Sequence, residues 1–181
     1  DGLVTGGNRI IATPIEGDRA VSPTAAGEPD RALRNHLVAL ASRVDGAQQI
    51  AADLVRIAVL SADRVGGVSY ASVTSREAGA YATVAASSIL AVEVDRAQYA
   101  DQAGPCLEAL DAAYPAVVPD IAATMTWPGF REVATRLGLR ASLSIPLFAG
   151  RGTAVGALNL YSHEPSALEH LSTAVWAVFE G

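Results

Sequence analysis

The segment RASLSIPLFAGRGTAVGALNLYS, from Arg140 to Ser162, decides the fold class of this chain. Two β-prone runs flank the loop Gly150-Arg151-Gly152, so we predict an antiparallel hairpin here. Along the first run, two sets of residues alternate: Ala141, Leu143, Ile145 and Leu147 with Ser142, Ser144, Pro146 and Phe148. This alternation predicts a strand whose one face is buried by helices and whose other face lines a pocket.

A second hairpin is expected upstream of the first. GGVSYASV (66–73) and AYATVAA (80–86) are rich in β-formers, and a polar turn from Thr74 to Gly79 joins them. Hairpins at both ends of the strand set favour an α+β protein with an antiparallel sheet over a doubly wound parallel one. AVVPDI (116–121) predicts a short strand that Pro119 confines to an edge or a bend.

Helices are predicted before, between and after these strands. Asp30 is a plausible N-cap for the first helix, and Asp45 with Gln48 forms a capping box for the second. The second carries an apolar face, and so does a last helix that we expect to open on the S-x-x-E box of Ser166 and Glu169. These two faces comprise Ile50, Leu54, Ile57, Ala58 and Ser61, and then Leu168, Leu171, Val175, Val178 and Phe179.

Composition narrows the class of protein. Half of the 181 residues are hydrophobic, which is enough for one domain, and residues 1–29 are rich in Gly and Pro. We therefore predict a flexible or hairpin-forming segment at 1–29 and a single domain at 30–181. The formal charge is −6 and all 13 basic residues are arginine, so the chain by itself is not expected to bind nucleic acid.

Targeting and metal signals are missing from the sequence. One cysteine and three histidines give no disulfide and no metal cluster of recognisable spacing. No apolar run reaches bilayer length and the first residues do not resemble a secretory signal, so we predict a cytoplasmic protein without a membrane partner. The chain ends soon after an apolar helical pattern, and we expect it to be a fragment of a longer protein.

The cysteine lies in the stretch QYADQAGPCLEALDA, from Gln98 to Ala112. Gly104 supplies a permissive backbone, Pro105 suits the first helical position, and Cys106 falls in the first turn of the helix. The helix dipole there would lower a thiol pKa if solvent reached it. We favour the simpler interpretation that Cys106 is a small apolar residue packed under the helix start, because no histidine lies near it in the sequence to act as a base.

These residues also carry a resemblance to a known family. QYADQAGPCLEAL resembles the QYELGEGPCLDAL segment typical of GAF domains in the GAF–ANTAR family of bacterial transcription antitermination regulators, departing at 100–103. LRASLSIPLFAGRGTAVGALNLYS resembles the closing hairpin of that family, and PDI at Pro119 and WPGF at Trp127 fit between the two segments. The resemblance covers roughly 30–181.

The resemblance implies a fold and a function. It implies an antiparallel sheet of five to six strands, with N- and C-terminal helices on one face and a small-molecule cavity on the other. It also implies a sensor that controls antitermination through an attached or partner RNA-binding ANTAR module. The helices of that module are absent after Phe179, either because they were left out of this chain or because the protein keeps only the sensor module. The molecule is unidentified and no cofactor is indicated. The candidate pocket residues are Tyr70, Tyr99, Cys106, Trp127, Phe130, Ser142, Ser144, Asn159 and Tyr161.

Two alternatives stay open at this point. The apolar stripes of the terminal helices predict a homodimer that forms through these helices, and they would also suit a structural homodimerisation module with a filled cavity. A redox-active protein or thiol enzyme using Cys106 is the other alternative. We expect no enzyme, because methionine sulfoxide-reducing GAF enzymes use several cysteines and this chain has one. His36 and His170 are not expected to be haem ligands, and Asp120 and Arg131 are expected to form a salt bridge or a solvated surface.

Overall fold

The computed structural model describes residues 47–149 and 153–180. Within these residues the helices are α1 Ala47–Arg64, α2 Ile89–Asp101, α3 Pro105–Ala112, α4 Pro128–Arg136 and α5 Glu169–Phe179, and the strands are β1 Tyr70–Glu77, β2 Ala80–Ala86, β3 Ala116–Val118, β4 Ala141–Phe148 and β5 Ala154–Ser162. The predicted helix after Asp30, the Asp45 cap, His36 and the loop 150–152 lie outside the described residues. The division at residue 29 stays a prediction.

The described strands form one antiparallel sheet in the order β2-β1-β5-β4-β3. This arrangement confirms the predicted α+β class and the two hairpins. β3 is an edge strand that stops at Val118, immediately before Pro119. Because proline has no N–H to donate, the ladder cannot continue through it in the usual way.

Helices α1 and α5 cover one face of the sheet, which we call the back face. Ile57 and Ala58 of α1 are fully buried against the inward-facing residues of the strands. Leu171, Val175 and Phe179 of α5 pack on the same cluster, as the sequence predicts. Val178 does not, because its side chain is 70% exposed on the other side of the helix.

The first hairpin is longer and tighter than the sequence suggests. β1 extends to Glu77, so the polar residues from Thr74 onward pair with β2 instead of forming a six-residue turn. The turn is only Ala78-Gly79, with φ of 50° and 83°. Positive φ angles at both loop residues match the twist of the two strands in a two-residue hairpin. This requirement explains the glycine at the second loop position.

The predicted capping box of the last helix is wrong. α5 begins at Glu169, and Ser166 lies in the preceding turn with φ 58°. The Ser166 amide donates to the Pro119 carbonyl at 2.8 Å, and Leu168 at the helix start is buried in the back-face core. These tertiary contacts fix the turn, so the local capping signal does not set the helix start.

Candidate functional site

Polar side chains line the opposite, front face of the sheet. The strand register aligns Ser72 of β1, Asn159 of β5 and Ser144 of β4 in one row. The next row aligns Tyr161 of β5 with Ser142 of β4. All five side chains are buried. A buried sheet face with this composition needs hydrogen-bond partners, because burying polar groups without them costs free energy.

Helix α2 supplies most of those partners. Its buried residues follow helical spacing, which places Asp95 and Gln98 on the stripe that faces the sheet. The Tyr161 hydroxyl donates to Asp95 Oδ1 at 2.6 Å, and Thr83 Oγ1 donates to Asp95 Oδ2 at 2.8 Å. Asn159 Nδ2 donates to Asp95 Oδ1 at 3.3 Å. Asp95 is thus the central acceptor of the polar side chains on this face. We call these side chains the front-face cluster, and its members are Ser72, Thr74, Thr83, Asp95, Gln98, Tyr99, Cys106, Ser142, Ser144, Asn159 and Tyr161.

Burial dominates the electrostatics of this cluster. Removal from water raises the pKa of Asp95 from 3.8 to about 6, although hydrogen bonds from Tyr161 and its neighbours oppose the shift. Burial, reinforced by the charge of Asp95, also raises the pKa of Tyr99 and of Tyr161, so both phenols stay protonated at neutral pH. Asp95 is therefore the group of this cluster that titrates between pH 4 and 8.

The side chain of Gln98 connects the sheet to α3. Gln98 Oε1 accepts from the Cys106 amide at 2.9 Å, and Gln98 Nε2 donates to the Tyr161 hydroxyl at 3.2 Å. The cap residue Gly104 makes no side-chain bond of its own, so Gln98 satisfies one of the amides at the helix start. A Cβ at position 104 would lie 2.7 Å from Gln98 Cδ. Gly104 is therefore required because Gln98 packs directly against it.

Cys106 is part of the packing, as predicted. Its side chain has no exposed surface, and its thiol donates to Thr74 Oγ1 at 3.3 Å. Burial, with the charge of Asp95 adding to it, raises the pKa of Cys106 to about 12. The thiol is therefore protonated at neutral pH, and the helix dipole does not activate it.

We predict that Cys106 resists thiol reagents in the folded protein. Reaction with an aromatic disulfide at pH 8 should be at least about a hundredfold slower than in denaturant, because the reactive thiolate is both scarce and buried. The release of coloured thiol over time measures the rate, and Cys106→Ser gives the blank. Rapid stoichiometric labelling of the folded protein would contradict the burial of this thiol.

Three buried polar atoms of the front-face cluster lack a hydrogen-bond partner in the part of the chain that the structure describes. They are Ser142 Oγ, Ser144 Oγ and Asn159 Oδ1, and they lie on the neighbouring strands β4 and β5. Buried polar atoms of this kind are uncommon, since each costs about 1–3 kcal/mol. Their concentration on one part of one sheet face marks this part as the place where a polar guest would be stabilised.

The other predicted site residues lie around this cluster. Tyr99 belongs to it, because its hydroxyl bonds Thr74 Oγ1 at 2.7 Å. Phe130 is fully buried beside Tyr161 in an apolar group, and Trp127 packs edge-to-face on Phe130 with centroids 6.4 Å apart. Tyr70 is the register partner of Tyr161 and packs against the same apolar group, and its ring lies 5.3 Å from the ring of His163.

Trp127 lies between two surface grooves. One groove runs along the start of α3, from Gln102 to Ala112, and the other lies between β3 and the loop that follows it. Trp127 is common to both, and its backbone is left-handed with φ 51° at the start of α4. A non-glycine residue rarely adopts this conformation, and such strain is often found next to functional sites.

Sequence reasoning missed the residues contributed by α2 and by the first hairpin. These are Ser72, Thr74, Thr83, Asp95 and Gln98. The sequence could have predicted the burial of Asp95, because Asp95 stands one turn from Ala91 on the apolar stripe of a short helix. It gave no indication for the threonines, because polar residues next to a turn usually face solvent.

The charged residues considered earlier have local partners. Asp120 forms a salt bridge with Arg140 at 3.4 Å, and Arg131 donates to the Thr124 carbonyl at 3.0 Å. His170 is exposed. Within the described ranges, no three His, Cys, Asp or Glu side chains gather as a metal site. In the same ranges, no helix is long and apolar enough to cross a membrane.

Comparison with known proteins now assigns the fold. A family model described as GAF domain matches residues 48–179, which include all of the front-face cluster. The chain belongs to the GAF domain family. GAF domains are generally signalling and sensory domains, and they commonly bind small molecules. No curated protein matches the sequence.

Several solved structures share the fold at low sequence identity. The A. aeolicus nlh2 GAF domain in an inactive state is 12% identical with a TM-score of 0.58, over 83% of this chain and 91% of that one. Free methionine-R-sulfoxide reductase from Neisseria meningitidis, in complex with its substrate, is 16% identical with a TM-score of 0.55, over 86% and 90%. The reduced form of fRMsr from Staphylococcus aureus is 14% identical with a TM-score of 0.53, over 80% and 89%.

The reductase structures correct one sequence-based prediction. We expected that this chain is not an enzyme, yet the fold that it adopts is shared with a reductase over 90% of the length of that enzyme. The expectation of a non-enzymatic protein is therefore contradicted. At 16% identity, the comparison shows a shared fold and does not show a shared reaction.

Proposed function

We propose that this GAF domain is the sensor module of a signalling protein, and that it binds a small molecule at the front-face cluster. The observation that carries the proposal is the set of three buried, unpaired polar atoms on β4 and β5. A bound molecule would supply their missing hydrogen bonds. The nine residues predicted from sequence contribute six members to this cluster: Tyr99, Cys106, Ser142, Ser144, Asn159 and Tyr161.

The strands connect this cluster to the terminal helices. Asn159 faces the front of β5, whereas its neighbours Leu158 and Leu160 belong to the back-face core under α1 and α5. A displacement of Asn159 would therefore change the packing of both helices. Such coupling requires that the molecule binds one arrangement of the helices more tightly than the other.

We further propose that the output is control of transcription antitermination through an attached or partner ANTAR module. The likeness of Gln98–Leu110 and of the closing hairpin to GAF–ANTAR proteins supports this proposal. RNA contact would then come from that module, because the arginines of this acidic domain are scattered rather than gathered in a patch. A cytoplasmic location is part of the same proposal.

A structural homodimer is the second candidate function. Side chains of α2 and α3 already fill much of the front face, which favours a purely structural domain. Val178 of α5 is 70% exposed and offers an apolar contact for a second copy. In the sensor proposal the same helix pairing would transmit the signal.

Native mass spectrometry of the protein from its own host tests these functions together. The sensor proposal expects a bound molecule that denaturation releases, together with a measured subunit number. A dimer without any bound molecule, and without thermal stabilisation by host metabolite fractions, would contradict sensing and favour the structural function.

We predict that Trp127→Ala weakens binding of the released molecule about tenfold. Trp127 packs on Phe130, which is buried beside Tyr161 of the cluster, so its loss removes part of the apolar packing next to the proposed site. Isothermal titration of the depleted protein measures the affinity. Met125→Ala is the matched control, because Met125 lies in the same loop and is 87% exposed. Equal affinities for both variants and the unchanged protein would remove Trp127 from the site.

A further inference from the structure

The orientation of Asn159 shows which chemistry is missing from the front-face cluster. Its Nδ2 donates toward β1 and α2, to Ser72 Oγ at 3.2 Å, Thr74 Oγ1 at 2.9 Å and Asp95 Oδ1 at 3.3 Å. The register partner of Asn159 on the other neighbouring strand, β4, is Ser144. Among residues 47–149 and 153–180, none donates a hydrogen bond to Asn159 Oδ1. The cluster thus presents an unused acceptor that only a donor can satisfy.

The charge around this acceptor is negative. Asp95 is the acidic member of the cluster, and no arginine of the described residues bonds to it. Arg76 pairs with Asp111, Arg140 pairs with Asp120, and Arg131 bonds the Thr124 carbonyl. The remaining described arginines, at positions 56, 64, 96 and 136, are exposed. A second negative charge beside Asp95 would be strongly unfavourable in this buried space.

We infer that the molecule bound here carries no negative charge and donates hydrogen bonds through N–H groups, as a small amide does. This inference rests on the proposed function and narrows the class of its ligand. One N–H donates to Asn159 Oδ1, and the hydroxyls of Ser142 and Ser144 bond its remaining polar atoms. Carboxylates and phosphates are excluded.

The spacing of these groups limits the size of the molecule. Ser142 and Ser144 are two residues apart on one strand, a separation of about 7 Å. A molecule that bonds both hydroxyls and the amide oxygen must span about this distance, and the side chains that cover the front face must move to admit it. The nearby apolar side chains of Phe130 and Tyr161 would cover its carbon atoms.

A pair of isosteric probes tests the class of ligand. Propionamide and propionate have the same shape, and only the amide lacks charge and carries N–H donors. We expect saturation-transfer NMR and a titration of protein amide shifts to show millimolar binding of propionamide, with propionate at least about tenfold weaker. Equal or tighter binding of propionate would overturn the ligand class and leave sensing intact.

A serine double variant tests the place of binding. In Ser142→Ala/Ser144→Ala the unliganded protein should be as stable as the unchanged one or more so, because the lost hydroxyls have no partner. Its affinity for propionamide should fall about tenfold. Ser75→Ala is the matched control, since Ser75 belongs to the same sheet but pairs at the exposed hairpin.

The remaining outcomes also decide the proposal. Unchanged propionamide affinity in the double variant would overturn the site. If neither probe binds, ordered water alone satisfies the three atoms and the ligand class is overturned. The sensing proposal is then tested by the protein purified from its own host, and it is contradicted if that protein carries no bound molecule.

Discussion

Gly104→Ala is expected to lower the free energy of unfolding by about 3 kcal/mol. An alanine Cβ would lie 2.5 Å from Gln98 Cγ and 2.7 Å from Gln98 Cδ, which is closer than atoms can approach. Gln98 cannot move aside cheaply, because it is fully buried and bonded to both the Cys106 amide and the Tyr161 hydroxyl. The estimate combines the cost of overpacking with that of one broken buried bond.

Urea unfolding followed by circular dichroism measures this difference. Gly66→Ala is the matched control, because a Cβ at Gly66 meets nothing within 4 Å, and its cost should stay within about 0.5 kcal/mol. Gln98→Ala removes the obstructing side chain, so adding Gly104→Ala to it should cost much less than in the unchanged protein. Additive effects of the two substitutions would show that Gln98 is not the reason for the glycine.

The unchanged protein should lose stability as the pH rises. Asp95→Asn should abolish this loss. The folded-state pKa of Asp95 is about 6, above the 3.8 of the unfolded chain. Between these values the folded state binds more protons, so stability falls with increasing pH. The loss amounts to about 2 kcal/mol between pH 4 and pH 7. The stabilising contribution is complete below pH 4 and gone above about pH 7.

Unfolding curves in urea from pH 4 to pH 8 measure this dependence. The other titratable members of the cluster, the Tyr99 and Tyr161 phenols and the Cys106 thiol, stay protonated over this range because their pKa values are raised. Asp63→Asn is the control, since Asp63 is exposed on α1, and it should keep the pH dependence of the unchanged protein. Parallel profiles for Asp95→Asn and the unchanged protein would contradict a buried, titrating Asp95.

Local patterns predicted the elements more reliably than their ends. Alternation along 140–162 predicted a hairpin, and the structure confirms it as β4 and β5. Pro119 correctly predicted an edge strand. Ser166 failed as a helix cap, because a hydrogen bond to the Pro119 carbonyl and the burial of Leu168 fix the chain there. Boundaries depend on such distant contacts, which a local pattern does not contain.

The candidate site was predicted in part for the same reason. Ser142, Ser144, Asn159 and Tyr161 were found because they share one hairpin and one strand face. Asp95 was missed, although it lies at the centre of the network, because its partners are distant in sequence. Its bond to Tyr161 spans 66 residues, and its bond to Thr83 crosses from a helix to a strand.

The sequence by itself determined the class of the sheet, one of its two edge strands and half of the front-face cluster. It could do so because period-two alternation and proline act through neighbouring residues. Only the tertiary structure decided why residue 104 is glycine, why Cys106 is inert and where the buried charge lies. Each of these depends on a side chain that another element brings within hydrogen-bonding or contact distance. Desolvation, which sets the pKa of Asp95, exists only once the helices have closed over the sheet.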